Sequence, residues 1–287
     1  MRKFLEPLAM PILKKAASRY VTGDTVEDAL NIATDIHSNG HGVTICYWHS
    51  LEETADQVES QYADAVKKCH DAGLDFHLAV KVPAFDKDLT QVTKIVENVR
   101  KHGGSVDFDA HAPEQADDVL TVAKSLGGEA LGLAIPGRWH RSIEDADRAI
   151  ELGLRIRVVK GGWPDPDEPN MDLRAGYLNV VDAIAGRARE VGVATHDDWL
   201  IQEVLKRLQN GNSEVEQELL YGLPMKSAET HGFDAGVPLR VYVPYGSAWF
   251  PYSVSKAMTD PRRLKMFAKD MLLSTKFEVP PRRQRSS

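Results

Sequence analysis

The chain has 287 residues, of which 43% are hydrophobic and 27% are charged, and its formal net charge is −7 at pH 7. This composition is that of a globular protein with a large core, and the acidic balance argues against the basic face of a nucleic-acid-binding protein. Two cysteines, Cys46 and Cys69, are too few for a disulfide framework or a thiolate metal site, and they favour a reduced, cytoplasmic compartment. Parallel β/α barrels use about 250 residues in a single domain, so we expect one main domain rather than two.

The first residues combine a basic pair with an apolar stretch, as a signal peptide would. Glu6, Pro7 and Pro11 interrupt this stretch before it reaches the length of a signal sequence, and we expect residues 1–18 to form a helical arm. No run of about 20 apolar residues occurs elsewhere, so we expect no transmembrane helix. Peripheral contact with a membrane stays open.

Short apolar or β-branched runs recur along the chain, and each is followed by a longer segment with helical spacing. Eight such runs predict strands, at residues 43–47, 76–82, 105–109, 130–135, 155–160, 192–195, 216–221 and 239–243. Helices are predicted between them at residues 51–71, 90–102, 113–125, 143–151, 176–190 and 197–209. Most of these helices end in or just before a glycine, which suits a helix C-terminus.

The repeated order of strand and helix predicts an α/β protein with a parallel sheet. Eight units suit a closed (β/α)8 TIM-like barrel, which we expect over residues 19–275. No G-x-G-x-x-G turn follows the first strand, which argues against a doubly wound dinucleotide-binding sheet. A C-terminal helix beginning near Pro251 could cover the barrel mouth, and residues 276–287 should form a flexible tail whose arginines are solvated.

Active sites of such barrels lie at the C-terminal ends of the strands. The polar residues at these ends are Lys81, Asp109, Arg157, Lys160, Thr195, His196, Tyr221 and Tyr242. Lys81 and Asp109 end neighbouring strands and could form an ion pair across the mouth, which would be costly to bury unless it had a function. A lysine here could instead form a Schiff base.

Arg157 and Lys160 place two positive charges near the end of the fifth predicted strand. A flavin would suit them, because a positive group near N1 and the C2 carbonyl stabilises the reduced ring; alternatively, both pair with carboxylates of neighbouring strands. His196 either contacts a cofactor or is a satisfied polar group, while Asp197 should cap the next helix. The ten histidines form no H-E-x-x-H motif, and we expect no catalytic metal.

Residues 239–252 (LRVYVPYGSAWFPY) resemble the last strand and capping helix of the monofunctional, FAD-dependent proline dehydrogenase family. Further similar motifs are RYVTGD at 19–24, RVVKG at 157–161, ATH at 194–196 and LYG at 220–222. The resemblance covers roughly residues 19–275. It implies a distorted barrel holding FAD, which oxidises L-proline by hydride transfer to the flavin and passes electrons to a quinone.

Carried over residue by residue, the resemblance assigns three groups of site residues. It places Lys81, Asp109 and Tyr242 around the substrate as catalytic residues. It places the cofactor against Arg157, Val159, Lys160, Gly161, Thr195 and His196, with Arg157 near the flavin N5. It gives substrate binding to Trp163, Tyr252, Ser255 and Lys256.

The chain departs from the family where the substrate carboxylate should bind. Ser255 and Lys256 stand in place of two adjacent arginines, and neither can reproduce a planar bidentate hydrogen bond to a carboxylate. The expected substrate is therefore L-proline or a related cyclic or secondary amine. A flavin-free lyase using Lys81 or Lys160 as a Schiff base, and a non-catalytic family member, are the alternatives.

Overall fold

The computed structural model describes residues 22–85, 89–109, 112–209, 211–249 and 279–283. Within these ranges eight parallel strands pair in chain order and close into a barrel. They are β1 Gly42–Tyr47, β2 Phe76–Val80, β3 Ser105–Phe108, β4 Leu131–Pro136, β5 Arg155–Val159, β6 Glu190–Ala194, β7 Glu214–Leu220 and β8 Leu239–Tyr245. Pairing of β1 with β8, from Gly42 beside Arg240 to Tyr47 beside Tyr245, closes the barrel. The predicted (β/α)8 barrel is confirmed.

Eight α-helices lie around the barrel in the part of the chain that the structure describes. They are α1 Val26–Ser38, α2 Ala55–Asp71, α3 Leu89–Lys101, α4 Ala116–Leu126, α5 Ser142–Glu151, α6 Leu173–Ile184, α7 Asp198–Leu208 and α8 Lys226–Ala235. The first and last of these were not among the predicted helices. The predicted range 176–190 was wrong for α6, because Asp172 accepts hydrogen bonds from the amides of Arg174 and Ala175 and so starts this helix earlier.

Strand side chains alternate between the two faces of the barrel wall. The apolar ones, such as Ile45, Leu78, Phe108 and Val158, are buried in one continuous core with the apolar faces of the surrounding helices. The other set points inward, where ion pairs join strands that are not neighbours in the sheet. The barrel interior is thus largely charged, whereas branched apolar residues usually fill it.

One layer of this interior is centred on Arg155 of β5. Its Nη1 donates to Asp107 Oδ2 of β3 at 2.7 Å, and its Nη2 donates to Glu216 Oε2 of β7 at 3.1 Å. Glu216 also accepts from Nε of Arg240 at 2.7 Å. Each buried charge is paired, and removing one partner would leave the other uncompensated.

Glycines on β4 and β6 make room for these charged side chains. A Cβ at Gly132 would lie 2.0 Å from Asp107 Oδ1, and a Cβ at Gly192 would lie 2.6 Å from Arg155 Nη2. Both distances are far below van der Waals contact, so any larger residue would displace the ion pair. The two glycines are therefore part of the charged interior.

The C-terminal segment, residues 279–283, lies against the N-terminal ends of the strands, opposite the barrel mouth. The amide of Arg282 donates to the carbonyl of Asn39 at 2.7 Å, and His41 Nε2 lies 2.7 Å from the carbonyl oxygen of Pro280. Arg283 Nη2 donates to Glu229 Oε2 of α8 at 2.8 Å. The rest of the predicted tail, the predicted arm at 1–18 and the predicted helix near Pro251 lie outside the described residues.

None of the helices in the described ranges has the length and apolar character needed to cross a membrane. Among the same residues, no group of three or more histidine, cysteine, aspartate or glutamate side chains is placed to hold a metal ion.

Substituting Gly132 by alanine should destabilise the protein by about 1–3 kcal/mol, because the new methyl group overpacks the Asp107–Arg155 pair. Urea unfolding of the two proteins measures the difference. Gly73→Ala is the comparison, since no atom lies within 4 Å of a Cβ there and only its positive φ of 66° opposes the change. A Gly132→Ala midpoint no lower than that of Gly73→Ala would contradict the steric argument.

Candidate active site

A cavity of about 340 Å³ opens at the C-terminal ends of the strands. Nine of the ten predicted site residues in the described ranges line it: Lys81, Asp109, Arg157, Val159, Gly161, Trp163, Thr195, His196 and Tyr242. The exception is Lys160. Tyr252, Ser255 and Lys256 lie outside the described residues, so their predicted role in substrate binding stays a prediction.

Asp109 lies at the centre of the polar contacts in this cavity. Its carboxylate forms the expected ion pair with Lys81, with 3.4 Å between Nζ and Oδ2. The hydroxyl of Tyr242 donates to Oδ2 at 2.9 Å, and Arg157 Nη2 donates to Oδ1. Donors from Lys81, which directly follows β2, from Arg157 of β5 and from Tyr242 of β8 therefore converge on a single carboxylate that follows β3.

Lys81 is buried and held by three acceptors. Besides Asp109, its Nζ donates to Cys46 Sγ at 2.6 Å and to the carbonyl of Tyr47 at 3.1 Å, and it lies 4.7 Å from the ring centroid of Trp48. Burial by itself lowers the pKa of Lys81, but the Cys46 and Asp109 side chains around it outweigh burial and raise that pKa. Lys81 is therefore an ammonium at neutral pH.

Cys46 and Tyr242 stay protonated beside this ion pair. Burial raises the pKa of the Cys46 thiol to about 11. Burial, and then the charge of Asp109, raise the pKa of the Tyr242 hydroxyl well above its usual value. Tyr242 can therefore act as a hydrogen-bond donor to Asp109 across the physiological pH range.

Arg157 pairs with carboxylates on both sides. Its Nη1 donates to Glu218 Oε1 at 2.6 Å, its Nη2 contacts Asp109, and its Cζ lies 5.1 Å from the Tyr242 ring centroid. Its Nε is buried and has no hydrogen-bond partner in the part of the chain that the structure describes. Arg157 thus pairs with two carboxylates, as the alternative interpretation expected, but they lie after β3 and on β7, which are not neighbours of β5 in the sheet.

Lys160, the other cation predicted near the end of β5, forms an ion pair with Asp197. Its Nζ donates to Asp197 Oδ2 at 2.8 Å, and Arg174 Nε donates to the same oxygen at 2.8 Å. Asp197 also caps α7, as predicted, by accepting from the amide of Leu200. The predicted contact between Lys160 and a cofactor stays a prediction.

The wall made by β5 and β6 is mostly uncharged and contains Val159, Gly161, Thr195 and His196. The His196 ring is fixed by backbone groups, since Nδ1 lies 3.0 Å from the carbonyl oxygen of Pro224 and Nε2 accepts from the amide of Leu220 at 2.9 Å. The imidazole therefore presents its ring, rather than these two nitrogens, to the cavity.

Sequence reasoning missed several residues that line the cavity, among them Glu218, Trp48 and Trp249. The rings of the two tryptophans lie 5.2 Å apart and form an aromatic wall beside Lys81. The alternation of side chains along β7 could have predicted Glu218 as an inward-facing residue, because it places Glu218 on the same face of the strand as Glu216. The two tryptophans follow β1 and β8, where no charge or motif marked them.

The cavity fits the flat, largely apolar ring of a flavin. Pockets of about 300–1,000 Å³ with apolar walls and a few placed polar groups bind molecules of this size. The Arg157 guanidinium lines the cavity and offers a positive charge at one edge, its buried Nε having no hydrogen-bond partner among the described residues. The β5 and β6 wall offers an uncharged face. These residues match the needs of a flavin whose reduced form is negatively charged.

Comparisons with known proteins give one consistent set of relatives. No family model matches the chain. Proline dehydrogenase 1 of Bacillus subtilis subsp. natto is 27% identical over 277 residues, covering 89% of this chain and 90% of that protein. The proline dehydrogenase of Deinococcus radiodurans is 24% identical over 295 residues, covering 94% of each.

Solved structures of proline utilization A proteins share the fold. Proline utilization A from Bdellovibrio bacteriovorus, inactivated by N-propargylglycine, matches with a TM-score of 0.71 and 17% identity over 83% of this chain. A proline utilization A with proline bound in remote sites matches with a TM-score of 0.66 and 19% identity over 81% of this chain. This chain spans about a third of the length of these proteins, 32% and 30% respectively.

Replacing Asp197 by asparagine should remove the charge that Lys160 and Arg174 contact while keeping a side chain that can cap α7. Burial opposes the charged form of Asp197, but the hydrogen bonds from Arg174 and Lys160 outweigh it and lower its pKa to about 2. Because the two cations are partly exposed, the loss at pH 7 should be about 1 kcal/mol.

The contribution of Asp197 should depend on pH in a defined direction. A carboxylate whose pKa is lowered by folding stabilises the protein fully above its unfolded pKa of about 4, and this is lost as the pH falls towards 2. Urea midpoints of the wild type and Asp197→Asn should therefore differ at pH 7 and converge below about pH 4. An equal difference at pH 7 and pH 3 would contradict the assignment.

Proposed function

We propose that this chain is a member of the proline dehydrogenase family and an FAD-dependent dehydrogenase acting on a C–N bond of L-proline or a related cyclic or secondary amine. The observation that carries the proposal is the convergence of Lys81, Arg157 and Tyr242 on Asp109 within one cavity. The curated relatives, which are named proline dehydrogenases and match over most of their length, support oxidation of proline by a flavoenzyme.

The residues that would hold FAD lie on β5 and β6. Arg157, Val159, Gly161, Thr195 and His196 form one side of the cavity, and Lys160 stands next to them in the sequence. The redox chemistry would come from bound FAD, whose N5 is the acceptor for a hydride. Arg157 would supply the positive charge that favours the reduced cofactor.

The opposite side of the cavity would bind the substrate. Asp109 is an acceptor-only carboxylate that can attract the ammonium of an amine. The Tyr242 hydroxyl and Lys81 fix its Oδ2, and Arg157 fixes its Oδ1. The tryptophan wall of Trp48 and Trp249 would exclude water from the reacting carbon and favour a cationic amine by cation–π attraction. Trp163, which is 38% exposed, would contact the substrate at the mouth.

The route of the electrons and the location of the protein belong to the same proposal. A quinone would take the electrons from the cofactor, as the family resemblance implies, and peripheral contact with a membrane would bring the two together. A cytoplasmic site is supported by Cys46 and Cys69, which are both buried and unpaired. The proposed partners are therefore small molecules and not nucleic acid.

The structure gives little support to a Schiff-base lyase. A Schiff base needs a neutral amine as nucleophile, whereas the environment of Lys81 raises its pKa. Lys160 is paired with Asp197 and does not line the cavity.

The proposal is tested with the purified protein loaded with FAD. Under anaerobic conditions, L-proline, prolinamide, N-methylproline and pyrrolidine are added in turn, and at least one should bleach the flavin absorbance. If dithionite bleaches the flavin but none of these amines does, the proposed dehydrogenase activity is wrong. A substrate adduct trapped by borohydride on a lysine would instead indicate the lyase.

Tyr242→Phe should slow flavin reduction by the active amine about tenfold or more, because a hydrogen bond to a charged group contributes about 1.5–3 kcal/mol. Stopped-flow absorbance measures the rate. Tyr221→Phe is the matched control, since Tyr221 directly follows β7 but does not line the cavity. Equal rates for the two variants would contradict the assignment of Tyr242.

A further inference from the structure

Glu218 is a buried carboxylate that the roles described so far do not use. It lies near the end of β7, its side chain is 2% exposed, and it lines the cavity. Its Oε1 accepts from Arg157 Nη1 at 2.6 Å, and its Oε2 lies 3.5 Å from Arg155 Nη2. Glu218 therefore connects the cavity arginine to the layer of ion pairs beneath it.

The contact between Glu218 and Arg155, in the layer beneath the cavity, is rigid. Arg155 is held by Asp107 at 2.7 Å and by Glu216 at 3.1 Å. Its guanidinium also lies close to the backbone of Gly192, where a Cβ would be 2.6 Å from Nη2. Neither Arg155 nor Arg157 can change its position without breaking several buried ion pairs. Arg155 therefore fixes the position of Glu218, and Glu218 in turn fixes the position of Arg157.

Glu218 also sets the charge balance of the cavity. Among the described residues that line it, the cations Lys81 and Arg157 are matched by the carboxylates Asp109 and Glu218. Arg157 alone contacts both carboxylates. The positive charge that Arg157 presents to a ligand is therefore reduced by Glu218, and removal of this carboxylate would leave a net positive cavity wall.

We propose that Glu218 is a positioning residue that fixes the Arg157 guanidinium against the flavin and tunes the reduction potential of the bound cofactor. This inference rests on the proposed binding of FAD. A reduced flavin carries more negative charge than the oxidised form, and charges interact strongly in a poorly solvated site. A carboxylate behind Arg157 consequently makes reduction of the flavin harder than Arg157 alone would.

The first test replaces Glu218 by glutamine, which keeps the shape and removes the charge. The midpoint potential of the bound flavin is measured by anaerobic reductive titration against reference dyes. The expected result is a shift to a more positive potential. Glu216→Gln is the matched control, because Glu216 is also a β7 carboxylate bound to Arg155 but does not contact Arg157 or line the cavity.

The outcomes for Glu218→Gln separate tuning from a purely structural role. A loss of global stability alone would not move the potential of the flavin that stays bound. The inference is overturned if Glu218→Gln keeps the wild-type potential, or if Glu216→Gln shifts the potential as much.

A second variant covers the case in which Glu218→Gln does not fold. Glu218→Asp keeps the charge but withdraws the carboxylate from Arg157 by one methylene group, so the guanidinium should lose its fixed position. Affinity for FAD, measured from the quenching of flavin fluorescence, should fall about tenfold relative to Glu216→Asp, as expected for about 1.4 kcal/mol. Equal affinities of the two variants would overturn the inference.

These measurements also distinguish the inference from the function on which it rests. If the wild-type protein does not bind FAD, the proposed function fails. If the wild type binds FAD and is reduced by an amine, but the Glu218 variants behave like their Glu216 controls, only the role of Glu218 fails.

Discussion

Charge pairing inside the barrel is the constraint on which the rest of the molecule depends. Four cations, Lys81, Arg155, Arg157 and Arg240, are matched there by Asp107, Asp109, Glu216 and Glu218. A buried ion pair is weak evidence for stability, because desolvation offsets much of the attraction, but a broken pair is strongly destabilising. The arrangement therefore specifies the register of the strands more than it stabilises the fold.

The same network supplies the candidate active site, because its upper layer forms part of the cavity wall. Asp109 and Arg157 contact both the cavity and other charged residues below or beside them. Side chains held in this way need little reorganisation when a ligand develops charge beside them. The residues that hold the strands together in the upper layer are therefore also residues of the candidate site.

The fold and part of the site could be predicted from the sequence because they depend on local patterns. Short apolar or β-branched runs predicted all eight strands, and strand-end positions predicted the Lys81–Asp109 pair. Glu218 and Cys46 were not identified, since their roles depend on contacts across strands that are distant in the sequence. No local signal indicated that Lys160 pairs with Asp197. Helix α8 also lacked a local signal, because its buried positions include Gly232 and Glu229 rather than a row of apolar residues.

The C-terminal segment has a practical consequence for handling the protein. Its contacts with Asn39, His41 and Glu229 hold residues 279–283 on the side of the barrel that faces away from the cavity. A sample attached to a surface through a side chain within residues 279–283 would therefore point its barrel mouth towards the bulk solution. Sensor and electrode experiments could use this orientation to keep the cavity open to small molecules and to redox mediators.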